Sequence, residues 1–232
     1  MTYELTILFP CLNEEKSIAF CINEAKEYIE KSKINAEILV ADNGSSDKSV
    51  EIAESLGARV CRIEEKGYGS ALRGGIAEAR GKYIIMGDSD GRYDFLNLEG
   101  FTEKLREGYD LVVGNRFRGG IEKGAMPFIY KYFGVPALSL FGRIMSGAKV
   151  GDFHCGLRGF DAEKARSLGL SCTGMEFASE IICEFAVSGG KICEIPTVLR
   201  RDKREGKPHL RSFRDGMRHV RYLIKVRRKK NK

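Results

Sequence analysis

Five short apolar runs, each ending abruptly in a polar or glycine-bearing turn, constrain this chain more than any other feature. They are LTILF (5–9), EILVAD (37–42), ARVCRI (58–63), YIIMG (83–87) and DLVVGN (110–115). Runs of that length bounded by turns read as buried strands. Helical spacing fills the gaps between them. Ile18, Ile22, Ala25 and Ile29 predict one helix, which Asn13 could cap; Asp47 could cap a second; Gly67 and Gly69 open a third that runs through Ala79. Alternating β and α units of this size imply an α/β fold, a mostly parallel sheet covered by helices. At 232 residues and 43% hydrophobic, the chain has material for one large domain, with or without an appendage. The spacing is too irregular for a solenoid.

The strand ends carry the chemistry. Residues 82–90 read KYIIMGDSD, so one run stops at Asp88 and Asp90, two carboxylates one residue apart. Acids this close repel unless a cation lies between them, and oxygen ligands with room for phosphate suit Mg²⁺ or Mn²⁺. Acid-x-acid triplets also occur on solvated loops, so the neighbouring loops matter. PCLNEE (10–15), DNGSSD (42–47) and the Gly-rich KGYGSALRGG (66–75) should converge with GDSD on one edge, because the carboxyl ends of parallel strands point one way. There Glu14 can bind ribose hydroxyls and Asp42 can accept from a base N–H. The glycines admit close backbone approach, and the acid pair can hold a cation against a diphosphate. The set describes a nucleotide-diphosphate site without the G-x-x-x-x-G-K-[ST] loop of ATPases.

The net charge of +7 hides an asymmetry. Residues 203–232 hold thirteen Lys and Arg against Glu205 and Asp215, a net +11 that leaves −4 on the rest. Leu210, Phe213, Met217, Val220 and Ile224 recur at helical spacing, and Arg211, Arg214, Arg218, Arg221 and Lys225 follow one residue later. A basic stripe beside an apolar one suits an anionic membrane surface; the plainer alternative is a docked helix with a solvated face. Nucleic acid is disfavoured, because the basic face borders apolar residues and not stacking aromatics. Ala125–Met145 is rich in aromatic and apolar residues but interrupted by Lys131, Arg143, Pro127 and Pro136. It reads either as core-packing helices or as a segment at a membrane interface or acceptor groove. No secretory signal is expected from the N-terminal residues. Seven cysteines without a C-x-x-C pair read as buried hydrophobes of a reducing cytosol, and His154–Cys155 makes a poor zinc site.

Taken in order, PCLNEE, DNGSSD, GYGSAL, GDSD, GNRFRGG (114–120), DFHCGLRGF (152–160), GMEFASE (174–180) and PHLRSFRDGMRHVRYL (208–223) resemble the family 2 glycosyltransferases of the GT-A fold. The likeness is to the polyprenyl-phosphate, or dolichol-phosphate, mannose and glucose synthases, and runs from Thr6 to about Leu223. It implies one GT-A domain over 1–207 and a basic amphipathic helix and tail over 208–232. It places Pro10, Asn13, Glu14, Asp42, Gly67, Gly69 and Asp88 around a UDP- or GDP-sugar, with Asp88 and Asp90 on Mg²⁺ or Mn²⁺. Arg116, with Lys131 assisting, would hold the acceptor phosphate; Asp152 and Arg158 would line the reaction centre.

The resemblance implies inverting transfer at the cytoplasmic face of a membrane. An ionised lipid phosphate needs no general base, whereas a hydroxyl acceptor would make Asp152 the leading base. Three departures stand out. Gly91 and Arg92 follow the acid pair where relatives often carry another acid or Gln. Val135 replaces a polar residue of the acceptor segment. The sequence ends at RRKKNK where many relatives continue into transmembrane helices. A nucleotidyltransferase is a rival, but PCLNEE is acidic where that class is basic and Gly-rich. A non-catalytic membrane module would explain the tail and not the acidic loops.

Overall fold

The first apolar run becomes a strand because its side chains are covered on both sides. In the computed structural model, which describes residues 3–203 and 212–230, β1 (Tyr3–Cys11) is buried from Leu5 onward. α1 (Ile18–Ser32), β2 (Ala36–Asp42), α2 (Ser49–Ser55), β3 (Arg59–Arg62), α3 (Tyr68–Glu78) and β4 (Gly81–Met86) follow. β2 and β4 pair with β1, and β3 with β2, all in parallel, with the helices as crossovers. The chain continues through α4 (Glu99–Arg106), β5 (Leu111–Asn115) and the single turn α5 (Arg116–Gly119). A π-turn at Tyr130–Gly134 runs into α6 (Val135–Ser146). β6 (Arg158–Asp161), α7 (Ala162–Ser167), α8 (Phe177–Val187), β7 (Ile192–Pro196) and α9 (Ser212–Lys230) complete the described residues.

The seven strands lie in the order β3-β2-β1-β4-β6-β5-β7. Only β6 runs against its neighbours, β4 and β5. The sheet is therefore mostly parallel, as expected. From β1 the chain winds outward on one side to β2 and on the other to β4. Such a reversal opens a crevice at the carboxyl ends, where ligands bind in open α/β sheets.

Pro10 sits inside central β1, normally a poor place for a residue without an N–H. Successive residues of a strand face opposite neighbours, so Leu8 and Pro10 both face β4. That ladder ends where Gly87 N–H donates to the Leu8 carbonyl, 3.1 Å away. The missing N–H of Pro10 falls beyond the last rung. Its carbonyl instead accepts from Ser89 Oγ at 2.8 Å, tying β1 to the acid loop.

Two local expectations are corrected. Asn13 does not cap α1, which begins after Ser17; it adopts φ 58° and turns to the loop after β2. α9 forms, but Met217 and Ile224, placed on the apolar stripe, are 40% and 42% exposed. Its inward face is Asp215, His219, Leu223 and Val226. Helical spacing defines an apolar stripe but not which face finds partners. α8 supplies polar ones: His219 bonds Ser179, and Tyr222 donates to Glu184 at 2.8 Å. Leu210 and the 207/208 boundary lie outside the described residues. Ala125–Met145 is not a core-packed pair of helices either, since Phe128, Ile129, Tyr132, Phe133, Leu140 and Ile144 are all exposed. No helix among the described residues is long and apolar enough to cross a membrane.

Candidate active site

Loops after β1 and β2 are stitched into one surface. Asn13 Oδ1 accepts from Ser46 N at 2.8 Å, Asn13 N donates to Ser45 Oγ at 3.0 Å, and Glu14 N donates to Ser49 Oγ at 2.7 Å. Asp47 Oδ1 accepts from Ser49 N at 2.9 Å, but the capping position of α2 is Lys48, one residue later than expected. Asp42, at the end of β2, folds its own loop by accepting from Gly44 N and Ser45 N at 3.1 and 3.0 Å. Glu14 is buried, and its carboxylate accepts from Ser17 Oγ at 3.1 Å. Beside this surface lies an open cleft of about 650 Å³ lined in part by Asp42, Ser45, Asp47, Arg62, Glu64 and Lys66. Asn43 fixes its far wall, donating to the carbonyls of Ile63 and Glu65 and accepting from Gly67 N at 2.7 Å.

Gly67 and Gly69 serve packing. A Cβ on Gly67 would stand 2.1 Å from the Thr173 carbonyl oxygen, and one on Gly69 2.4 Å from that of Cys172. Gly67 also holds φ 133°, out of easy reach of a side-chain-bearing residue. The glycines let α3 begin against the 172–174 segment, where Gly69 N donates to Thr173 O at 2.9 Å.

The acid pair stands at the end of β4. Asp88 is half-buried and accepts from the Tyr68 hydroxyl at 2.8 Å. Burial, then the Asp88 charge, push the Tyr68 hydroxyl well above its ordinary range, so it remains a donor. Asp90 is 5% exposed and accepts from Arg92 N at 3.1 Å. A Cβ on Gly156 would lie 2.4 Å from Asp88 Oδ2, so only glycine lets the 152–157 loop approach this carboxylate. The all-oxygen donors fit Mg²⁺ or Mn²⁺. Among the described residues no group of three His, Cys, Asp or Glu converges on a metal position. Two carboxylates alone match cations that take their remaining ligands from substrate phosphates and water.

At the end of β5, Arg116 and Asp152 form a buried two-pronged pair. Arg116 Nε and Nη2 donate to Asp152 Oδ2 and Oδ1, both at 2.7 Å, with Asp152 fully buried. The backbone N–H groups of Arg116 and His154 add further bonds to Asp152, each 3.2 Å. Arg158 does not face a ligand space. It is fully buried and donates to the carbonyls of Cys155, Ala178 and Phe153, which makes it the internal brace of the loop. Lys131 stands in the π-turn, its ammonium 5.5 Å from the Tyr132 ring centroid.

With this edge assembled, the chain can be compared with known proteins. The sequence model of glycosyl transferase family 2 matches residues 6–169. The chain belongs to that family. The low-salt glycan biosynthesis hexosyltransferase Agl6 of Haloferax volcanii is 41% identical over 221 residues, 95% of this chain and 53% of the relative. This chain thus spans about half of that protein. A dolichyl-phosphate hexose transferase of the same organism is 28% identical over 96% of this chain and 93% of its own length. The crystal structure of glucosyl-3-phosphoglycerate synthase from Mycobacterium tuberculosis, holding Mn²⁺, UDP and glucosyl-3-phosphoglycerate, matches with a TM-score of 0.76. It covers 97% of this chain and 80% of that one at 20% identity, a likeness of fold. The sheet and helices are those of a GT-A domain.

Several residues of this family 2 glycosyltransferase escaped sequence reading. Tyr68 was inside a quoted motif, yet nothing in the sequence pointed its hydroxyl at Asp88. Tyr93 is buried and its hydroxyl accepts from Gly156 N at 2.7 Å, fixing the loop that Asp152 begins. Glu194 on β7 gathers Asn115, Gly151 and Asp152 onto one oxygen at 3.0, 2.8 and 3.0 Å. Such partners come from a helix, a loop and a strand distant in sequence, and no spacing rule signals them.

Proposed function

We propose that this chain transfers a hexose, with inversion, from a UDP- or GDP-linked sugar to a polyprenyl phosphate at the cytoplasmic face of a membrane. One observation carries the reading: an exposed apolar segment is tethered at two points to the polar edge. Arg92, of the acid loop, donates to the carbonyl of Ala125, where the segment starts. Phe153, next to Asp152, donates its N–H to Ser139 Oγ of α6 at 3.2 Å. Between those tethers Phe128, Ile129, Tyr132 and Phe133 are 54–70% exposed. α9 adds an outward Met217 and Ile224 beside exposed Arg214, Arg221 and Lys225. Apolar side chains can enter a membrane interface while each nearby cation gains about 1 kcal/mol from anionic headgroups. A polyprenyl phosphate presents its phosphate at that depth. The relatives named for hexosyl transfer, one of them to dolichyl phosphate, support the same reading.

In this mechanism Asp42 and the cleft beside it take the nucleoside, and Glu14 the ribose. Asp88 and Asp90 would hold a divalent cation, which when bound would supply Lewis-acid neutralisation of charge on the departing nucleoside diphosphate. Tyr68 keeps Asp88 oriented from behind. The acceptor phosphate oxygen bonds to the anomeric carbon from the face opposite the breaking bond. With a second pKa of about 6, that phosphate is already ionised near neutral pH and needs no base. Asp152 aims Arg116, and the guanidinium N–H groups left over from the pair meet the phosphate. Both Asp152 oxygens are occupied by Arg116, which weighs against the alternative in which Asp152 deprotonates a hydroxyl acceptor.

The test is a panel of UDP- and GDP-sugars with Mg²⁺ or Mn²⁺, each with and without polyprenyl phosphate. Lipid-linked sugar should form with one nucleotide series and vanish in EDTA. Sugar transfer that ignores the lipid phosphate would remove the acceptor from this reading.

A further inference from the structure

We propose that α9 belongs to the active centre: His219 and Arg218 on its inward side hold the acceptor loop and the donor-side turn in their working positions. The inference rests on the active edge described above and not on the identity of the acceptor. His219 is 5% exposed and bonded through Nδ1 to Ser179 Oγ at 2.8 Å. Its ring meets the ring of His154 edge-on, centroids 4.7 Å apart and planes at 82°. His154 in turn donates its backbone N–H to Asp152, the partner of Arg116. Burial keeps both rings neutral, with His219 lowered to about 4, so the contact is between two uncharged imidazoles. His154 Nε2 is buried with no hydrogen-bond partner among the described residues. The ring is therefore placed by packing on His219 and not by a bond of that nitrogen.

The second hold is made by Arg218. Arg218 Nη2 donates to Glu176 Oε1 at 2.6 Å and to Thr173 Oγ1 at 3.2 Å. Thr173 is the residue whose carbonyl accepts the amides of Gly69 and Ser70 at the start of α3. Adjacent residues of one helix thus grip the Asp152–Leu157 loop and the turn that seats the Gly-rich loop. An inward face made only to dock would be apolar throughout; on this one His219 is fixed to α8 and packs on His154, while Arg218 bonds the 173–176 turn. His219 and Arg218 are positioning residues, acting through His154 and Thr173.

The experiment uses the full chain with His219→Ala, His219→Asn, Ser179→Ala and Arg218→Ala, and Glu30→Gln on the exposed side of α1 as a surface control. Hydrogen exchange is read by peptide, and kcat and KM are read with the nucleotide sugar that wild type turns over. His219→Ala should speed exchange in 151–157 and lower kcat about tenfold, the size of coupling a packed chain of side chains carries, with donor KM little changed. His219→Asn, which can still bond Ser179, should recover most of both. Arg218→Ala should instead loosen 171–176 and raise donor KM. Glu30→Gln should change neither. If His219→Ala unfolds, Ser179→Ala carries the same expectation in milder form. Folded variants with wild-type exchange in 151–157 and 171–176 would overturn the proposal. So would loosening spread evenly over the fold, which marks α9 as a plain stabiliser. The exchange readout stands even if no lipid product is found.

Discussion

The donor side and the acceptor side of this molecule are built on opposite terms. Around β1, β2 and β4 the loops satisfy one another: Asn13 with Ser46, Asn43 with Gly67, Tyr68 with Asp88. On the acceptor side, Phe128 through Phe133 present apolar rings outward, held by the tethers at Ala125 and Ser139. The first region is complete within the chain and waits only for a small ligand. The second leaves apolar surface uncovered among the described residues. A nucleotide sugar fits the first description and, in the proposed function, a lipid surface fits the second.

The largest effect should come from the donor side. Asp88→Asn or Asp90→Asn removes a charged oxygen ligand from a hard cation and should cut transfer at least about a hundredfold. Melting should change little, because neither carboxylate belongs to the apolar core. Full turnover of either variant, or of wild type in excess EDTA, would break the assignment of this half.

Next is the seam between the halves. Asp152→Asn leaves Arg116 buried against a neutral partner, and losing one member of a buried pair costs about 3 kcal/mol or more. Chemical denaturation should show that loss. A variant as stable as wild type would mean that Arg116 is hydrated there and that the two halves are less firmly joined than the distances imply.

A third comparison uses acid. His219 is lowered to about 4 from an ordinary 6.5. As pH falls below about 6.5 the unfolded chain takes up a proton that the folded chain refuses, so this group withdraws stability until about pH 4. Below that, both states are protonated and its contribution levels. His219→Asn should flatten that part of the stability curve, read by denaturation across the window. An unchanged slope would show that His219 is open to solvent.

The smallest effect on stability, and the sharpest contrast, belongs to the exposed rings. Phe128→Ser with Phe133→Ser should shift stability within about 0.5 kcal/mol, as exposed substitutions do. Co-sedimentation with anionic liposomes should nevertheless fall clearly. A marked drop in melting temperature would place these rings in packing and not on a free face.

The sequence made the donor half legible because its information is local. A strand ends where apolar residues stop, and the parallel arrangement then carries Asp42, Asp88 and Asp90 to one edge whatever lies elsewhere. On the acceptor half the motifs named Arg116 and Asp152, but the packing around them was not legible. Helical spacing marked an amphipathic α9 but favoured Met217 and Ile224 as its stripe, because Asp215 and His219 look like surface residues until Ser179 and His154 are beside them. Arg158 was expected to line the reaction centre because the resemblance implied it. Three backbone carbonyls from two segments occupy it, and carbonyls leave no mark in a sequence.

The most direct measurement compares one acceptor in two phases. Transfer to polyprenyl phosphate in anionic vesicles is set against transfer to a short, water-soluble prenyl phosphate, using wild type and the Phe128→Ser, Phe133→Ser double variant. The account predicts that the double variant loses transfer in vesicles and retains it with the soluble acceptor. Equal loss on both acceptors, or no loss on either, would contradict a polar donor edge working beside an apolar membrane face.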